Sequence, residues 1–226
     1  MAVKQFEKAT VGEKISGYML RHRIPIIAAS ATVVIAIVVY TVAALVISKA
    51  SEKNIAGIDA IEYELTHDSS LLSEAELEER RETALAALAQ YLNKSGIAGA
   101  RANMLAADIA FQRNEYEDAK LYWERVVSQS KKSYLVPLAY YNIGVCCEEL
   151  GDFGNAALNY GNAVGADDFL LTSHALFSSG RAYELNDDVA KAAETYRKLE
   201  DMALNDNWTS LAKTRLIALK AKGIIE

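Results

Sequence analysis

The chain has 226 residues, of which 51% are hydrophobic and 24% are charged, and its formal net charge is −6. This balance excludes an intrinsically disordered polymer and suffices for one modest domain and a membrane segment. Only two Pro residues are present, so long stretches lack helix breakers and the fold is predicted to be all-helical. Residues 1–23 hold five Lys or Arg and two Glu, a net +3, which leaves −9 for the rest. An acidic body argues against nucleic acid as the partner.

Residues 1–23 are expected to form a basic cytoplasmic tail. Val11, Ile15, Tyr18 and Met19 recur with helical spacing and give the segment one apolar stripe. We expect an interfacial helix whose basic face meets anionic lipid, and a docking peptide for a cytoplasmic protein is the alternative.

The 25 residues from Ile24 to Ser48 contain no charge. At about 1.5 Å per residue, such a helix exceeds the roughly 30 Å hydrocarbon core of a bilayer, so a transmembrane helix is predicted over 24–48. One alternative is the buried helix of a soluble protein. Another is a secretory signal peptide, because small residues flank Lys49, but an apolar region of this length favours an uncleaved signal anchor.

Charges beside this span predict its orientation. Five Lys or Arg precede it within 23 residues, and only Lys49 and Lys53 follow within 20. By the positive-inside rule the N-terminus stays in the cytoplasm, and the larger domain lies in the periplasm, outside a bacterial inner membrane. An organelle receptor with its repeats in the eukaryotic cytosol is the inverted alternative.

Three later segments align without gaps, and they start at Ala102, Ala139 and Ala175. In each, a pair of small or apolar residues is followed by an Ala twelve residues after its second member, and an aromatic residue comes four residues later. The second members are Ala107, Gly144 and Gly180, and the aromatic residues are Trp123, Tyr160 and Tyr196.

This pattern resembles the tetratricopeptide repeat, most closely in the second segment, IGVCCEELGDFGNAALNYGNAV. Two helices of one repeat must approach closely, so Gly144 and Ala156 take positions where a longer side chain would separate them, and Tyr160 fills the space beyond. Gly151 and Asp152 are expected to form the turn. The closing Pro of the family is absent from all three segments, which accords with a spacing of 36 to 37 residues.

Flanking segments complete the predicted stack. A helix should continue from the membrane segment and end near Thr66, and the capping box of Ser73 and Glu76 opens another through about Leu92. A Lys-rich capping helix runs from near Asn207 to Gly223 and carries Trp208, Leu211, Leu216 and Leu219. The predicted architecture is therefore all-α: a transmembrane helix, a membrane-proximal segment over 49–72, and a right-handed solenoid of about four helix pairs plus a cap over 73–226. The motif repeats span 102–127, 139–164 and 175–200.

The chain shows no pattern typical of an enzyme or a metal site. It lacks a G-x-S-x-G elbow, a glycine-rich phosphate loop and an H-E-x-x-H motif, and no nucleophile is placed beside His67 or His174. We therefore predict no catalytic residue, no cofactor and no metal ligand. Cys146 and Cys147 are interpreted as packing residues, with a strained vicinal disulfide or a redox role as the alternatives.

The resemblance implies a concave groove lined by the first helix of each repeat. Transferring that face position by position selects fifteen residues. They are Arg101, Met104, Asp108, Phe111 and Gln112, then Leu138, Tyr141, Val145, Glu148 and Glu149, and finally His174, Phe177, Arg181, Glu184 and Leu185. Aromatic residues among carboxylates suit an apolar or mildly basic peptide. Alternatively, the first helices or the C-terminal cap cover some of them.

The order of parts also resembles the tetratricopeptide ancillary subunits of the bacterial Sec translocon. That resemblance implies a membrane-tethered, non-enzymatic adaptor for translocon subunits, exported chains or periplasmic chaperones, with a groove around Phe111, Tyr141 and Phe177. The alternative is a structural part of another envelope machine, such as a flagellar-motor scaffold, a secretion apparatus or an outer-membrane assembly line.

Overall fold

The computed structural model describes residues 10–130, 133–165, 169–202 and 205–225. These ranges hold ten α-helices, one short 3-10 helix and no strand, so the all-helical prediction is confirmed. The helices are α1 (Val11–Arg21), α2 (Arg23–Thr66), α3 (Glu74–Leu88), α4 (Gly96–Gln112), α5 (Tyr116–Gln129), α6 (Leu135–Glu149), α7 (Phe153–Ala163), α8 (Thr172–Leu185), α9 (Val189–Asp201) and α10 (Asn207–Ala221).

The chain divides into two compact units, and the first comprises residues 1–52. It includes α1, which exposes the predicted stripe of Val11, Ile15, Tyr18 and Met19, and the apolar part of α2. No residue in the most apolar stretch of α2 is buried against another part of the described chain. By length and composition it can cross a membrane, although a signal sequence meets the same criteria.

The second unit begins at Lys53 and includes the end of α2. There Ile58 packs with Ala84 and Leu88 of α3 and with residues of α4 in one apolar cluster. The predicted capping box is present, since the Ser73 hydroxyl accepts from the Glu76 amide and the Glu76 carboxylate accepts from the Ser73 amide.

Helix α3 ends at Leu88, earlier than the predicted Leu92. The Leu92 carbonyl accepts hydrogen bonds from the side-chain amides of Asn103 and Gln129, at 2.8 and 2.7 Å. These two amides lie on α4 and α5. Because they hold the Leu92 carbonyl, residues after Leu88 lead toward α4 instead of adding another turn to α3.

The helices α4/α5, α6/α7 and α8/α9 form three successive hairpins, and α10 packs against α9 and α8. Their turns share one feature, a residue in the left-handed backbone region. It is Asn114, Gly151 and Asp187, with φ of 60°, 73° and 58°. Asn, Gly and Asp are the residues that tolerate this region best, which explains their recurrence at spacings of 37 and 36 residues.

Each hairpin closes on the predicted small and aromatic pair. Ala107, Gly144 and Gly180 are buried on the first helices, and Trp123, Tyr160 and Tyr196 are buried on the second helices. The first helices of the hairpins also lie on one side of the domain. There α4 contacts α6, and α8 contacts α10, which follows the third hairpin. We call the surface of α4, α6 and α8 on that side the inner face.

Candidate protein-binding surface on the inner face

All fifteen predicted groove residues lie on α4, α6 and α8, but they differ in what they contact. Arg101, at the start of the inner face, is engaged by α2. Its guanidinium Nη2 lies 2.6 Å from Asp59 Oδ1 and 3.4 Å from Glu62 Oε2. Arg101 is therefore held in ion pairs by the end of α2.

Two of the predicted carboxylates belong to a repeated internal network. The Tyr160 hydroxyl donates to Glu148 Oε2 at 3.1 Å, and Arg181 Nη2 of the next hairpin donates to both oxygens of Glu148, at 2.8 and 2.6 Å. Burial raises the pKa of Tyr160, and the nearby charge of Glu148 raises it further, so the hydroxyl stays protonated and donates.

One repeat later the same network recurs. The Tyr196 hydroxyl donates to Glu184 Oε1 at 2.7 Å, and Arg215 of α10 donates to both Glu184 oxygens, from Nε to Oε1 at 3.0 Å. Burial tends to raise the pKa of Glu184, but the hydrogen bonds from Arg215 and Tyr196 outweigh it, and the pKa lies below its usual range. Glu148 and Arg181 therefore join two neighbouring repeats, and Glu184 joins the third repeat to α10, roles that the sequence did not predict.

The first repeat lacks this network. Phe111, Trp123 and Val145 stand at the positions that Glu148, Tyr160 and Arg181 occupy one repeat later. Phe111 and Val145 are half-buried and pack against the central core, so the junction between the first two repeats is apolar where the next two junctions are ionic.

Asp108 stands in the first repeat where Arg181 stands in the third. In the described part of the chain it has no hydrogen-bond or ion-pair partner. Surrounding protein raises its pKa to about 6, mainly by desolvation and secondly through the charge of Glu62. The inner face thus carries, about one helical turn from Phe111, an exposed carboxylate that has no side-chain partner among the described residues.

The C-terminal cap covers the aromatic residues of the third repeat. The His174 ring stacks on Trp208 with centroids 3.8 Å apart, and its Nδ1 lies 3.0 Å from the Tyr141 hydroxyl. Phe177 lies between Tyr196 and Trp208, at 5.8 and 5.6 Å between ring centroids. His174 and Phe177 therefore pack within the domain, and sequence reasoning missed Trp208 as their partner because it lies beyond the third motif.

The remaining predicted residues are less constrained. Met104 is half-buried against the core, and Leu138 is half-buried on α6. The Gln112 side-chain oxygen accepts from Arg81 Nε of α3 at 3.3 Å. Glu149 and Leu185 are exposed at the ends of their helices. Met104, Asp108 and Phe111 lie on one face of α4, and Val145 stands on α6 at the position that Asp108 occupies one repeat earlier.

The two thiols belong to the central apolar core. Cys146 and Cys147 are free and fully buried, and burial raises the pKa of Cys146 to about 12 and also raises that of Cys147. A thiolate is therefore disfavoured at both positions. Within the described ranges, no group of three His, Cys, Asp or Glu residues is arranged to hold a metal ion.

Comparisons with known proteins agree with the repeats. The family model for the tetratricopeptide repeat matches residues 104–170 and 149–206. A "TPR repeat-containing protein" of Treponema pallidum (strain Nichols) is 33% identical over 130 residues, which are 58% of this chain and 54% of that relative, so the chain spans about half of its length. The crystal structure of MamA protein aligns with a TM-score of 0.46 and 18% identity over 68% of this chain and 84% of that one. The match of the family model confirms the predicted tetratricopeptide repeats for residues 104–206.

Proposed function

We propose that this chain is a membrane-anchored adaptor that binds a segment of a partner protein on the inner face, at the junction of its first two repeats. The tetratricopeptide fold points to protein–protein interaction in general. The observation that carries the specific proposal is Asp108, which has no side-chain partner among the described residues and lies about one helical turn from the half-buried Phe111. The proposal assigns no catalytic reaction and no cofactor to the chain.

The chemistry of this junction defines the partner segment. A carboxylate whose ionised form is disfavoured by its surroundings gains most from a cation placed against it. Half-buried Met104, Phe111 and Val145 gain from covering by apolar side chains. A segment with a Lys or Arg next to one or two large apolar residues satisfies both needs, whether it binds as a helix or as an extended chain.

Residues 24–48 supply the anchor in this proposal. They are uncharged and, in α2, exposed on all sides, and the charges flanking them favour a cytoplasmic N-terminus. The repeats then lie in the periplasm, outside a bacterial inner membrane. Two settings are possible for an adaptor in this place. As an export adaptor, the chain would bind translocon subunits, exported chains or periplasmic chaperones. As a structural part of another envelope machine, it would bind the subunits of that machine.

Affinity purification of the tagged full-length chain from gently solubilised native membranes tests the binding surface. We expect the unmodified chain to co-purify with a set of partner proteins that the Asp108→Lys variant does not retain. The introduced Lys would repel the basic side chain of the partner segment. Glu124→Lys is the matched control, since Glu124 is an exposed carboxylate on α5. A protein set unchanged by Asp108→Lys would contradict the proposed surface.

The identities of the lost proteins decide between the two settings. Translocon subunits and periplasmic chaperones would favour the export adaptor, whereas flagellar or other envelope-machine subunits at fixed ratio would favour the structural role. Fusion of a reporter active only in the periplasm to the C-terminus tests the topology. An inactive reporter, or release of the chain by alkaline carbonate, would contradict the anchor.

A further inference from the structure

A groove at the N-terminal end of the repeat unit lies between the last turns of α2 and the helix α3. Its volume is about 590 Å³, and the described residues that line it fall within 60–87. None of them belongs to α4, so the first hairpin leaves the groove open. The apolar part of its lining consists of Ala60, Ile61, Leu65, Leu72, Ala84 and Ala87.

Polar contacts fix the two walls of this groove without closing it. Glu78 Oε1 lies 2.9 Å from Arg113 Nε, which ties α3 to the end of α4. At the turn between α2 and α3, Arg80 Nη1 donates to the backbone carbonyls of Glu64 and His67, at 3.0 and 2.5 Å. Three of the lining residues are alanines, whose short side chains leave the space between the helices unfilled. The groove is therefore already formed in the absence of an occupant.

The other end of the repeat unit shows how an end surface of this stack is covered. There the helix α10 packs on both helices of the last hairpin, α8 and α9. It buries Ala212 and Leu216 in one cluster with Leu176 and Leu199. Among the described residues, no helix covers the α2/α3 groove in this way. Since each element of a solenoid buries its apolar surface against a neighbouring one, a helix is the element that suits the open groove.

The rim of the groove is acidic. Glu64 and Glu79 are exposed along it, and neither forms an ion pair with a described side chain. Hydrogen bonds from Ser73 hold the pKa of Glu76, the third rim carboxylate, below its usual range, so it stays ionised. Arg80 is the only cation among the described lining residues, and backbone carbonyls engage it. An occupant should therefore carry Lys or Arg beside its apolar face.

We propose that the α2/α3 groove docks an amphipathic helix of a partner protein, whose apolar face lies on the groove floor and whose edges carry Lys or Arg. A helix inserts a stripe of apolar side chains into a groove between two other helices. The exposed rim carboxylates then select basic edges and make the contact sensitive to salt. The groove and the inner face share no residue, so this inference is independent of the proposed function.

Photo-cross-linking from inside the groove tests the contact. Thr83 is exposed and lines the groove, so the substitution Thr83→p-benzoylphenylalanine places a photoreactive group there. The probe is a synthetic helix of about 18 residues, with Leu on one face and Lys at the edges of that face. It is added to the full-length chain in phosphatidylcholine nanodiscs, which carry no net charge. We expect this peptide to cross-link, and a matched peptide with Glu in place of every Lys to cross-link at least about tenfold less.

Charge reversal in the chain makes the test specific. Glu64→Lys together with Glu79→Lys should lower cross-linking of the Lys peptide at least about tenfold and raise that of the Glu peptide. Glu124→Lys on α5 and Asp108→Lys on the inner face should change neither value, so the two proposals can fail separately. Equal cross-linking of the two peptides, or insensitivity to the reversal at Glu64 and Glu79, would overturn the proposal.

The same photoreactive chain in native membranes tests the natural occupant. We expect a cross-linked segment of another protein that has apolar residues at helical spacing and Lys or Arg beside them. Its cross-link should disappear on charge reversal at Glu64 and Glu79. Cross-links only to a second copy of this chain, only to lipid, or only to segments without that pattern would contradict a docked partner helix.

Discussion

A β-carbon added to Gly144 would stand 2.8 Å from the ring of Tyr160, and one added to Gly180 would stand 2.5 Å from the ring of Tyr196. The two pairs occupy the same positions in successive hairpins, and all four residues are buried. The missing methyl group is therefore what allows each Tyr ring to lie flush against the first helix of its hairpin.

Replacing these glycines by Ala should consequently destabilise the domain. We expect Gly144→Ala and Gly180→Ala each to lower the free energy of unfolding by about 1–3 kcal/mol, because overpacking against a buried ring outweighs the higher helix propensity of Ala. Denaturant titration of the full-length chain measures this change.

Gly161→Ala is the matched control, because nothing lies within 4 Å of a β-carbon at that exposed helical position. It should raise the free energy of unfolding by up to about 1 kcal/mol. A stabilising effect of Gly144→Ala similar to that of the control would show that the Tyr160 ring moves aside without cost.

The network of Glu148 with Tyr160 and Arg181 predicts unequal effects for two substitutions. Glu148→Gln keeps an acceptor for the Tyr160 hydroxyl and loses only the ion pair with the half-exposed Arg181, so it should cost about 0.5–1 kcal/mol. Glu148→Ala also leaves the hydroxyl of a buried Tyr without a partner and should cost about 1–2 kcal/mol more.

The neighbouring Glu149→Ala serves as the control for this pair, since Glu149 is exposed, and its effect should stay within about 0.5 kcal/mol. Tyr160→Phe provides a second check. In the Tyr160→Phe background, Glu148→Ala and Glu148→Gln should have nearly the same free energy of unfolding. If Glu148→Ala stayed less stable there, the Tyr160 hydroxyl would not be the group that Glu148 stabilises.

Asp108 predicts a stability change between about pH 4 and pH 6. Its pKa in the folded chain is raised to about 6, so the folded state binds the proton more tightly than the unfolded state does. Stability from this group is therefore greatest below the unfolded pKa and is lost as pH rises through about 6. Allowing for solvent screening at this partly exposed side chain, the loss should be about 1 kcal/mol.

Asp108→Asn removes this titration. The variant should be more stable than the unmodified chain at pH 7.5 and equally stable at pH 4.5, as measured by denaturant titration at both values. Equal stability of the variant and the unmodified chain at pH 7.5 would mean that solvent or a neighbouring group already stabilises the ionised Asp108 carboxylate.

His174 predicts a change of the opposite sign. Burial lowers its pKa, the charge of Arg181 lowers it further, and Glu148 only partly opposes them. The folded state thus prefers the neutral ring, so its contribution to stability is complete above the unfolded pKa of about 6.5 and declines as pH falls below it.

His174→Phe keeps an aromatic ring against Trp208 without a titrating group. Relative to the unmodified chain, this variant should lose less stability between pH 7.5 and pH 5.5, and introducing it with Asp108→Asn separates the two opposing effects. An identical pH dependence with and without the substitution would argue that protonated His174 is tolerated beneath the cap.

Local spacing in the sequence sufficed to predict the hairpins. The small residue on one helix, the Ala and aromatic residue on the next, and the turn at Gly151 lie within about 20 residues of one another, so their pattern states directly which side chains meet. The uncharged run from Ile24 to Ser48 likewise predicts a possible transmembrane helix directly, because its length as a helix follows from the rise per residue.

Only the tertiary structure decided which residues of the predicted groove are available. Glu148, Glu184 and Asp108 look alike as carboxylates on the first helices of their hairpins. Arg181 of the next repeat holds Glu148, and Arg215 of α10 holds Glu184, 33 and 31 residues later, whereas no described side chain holds Asp108. The packing of His174 and Phe177 against Trp208 is likewise a contact between distant parts of the chain. Such pairings depend on how one repeat rotates against the next, and a motif that describes a single repeat carries no information about that rotation.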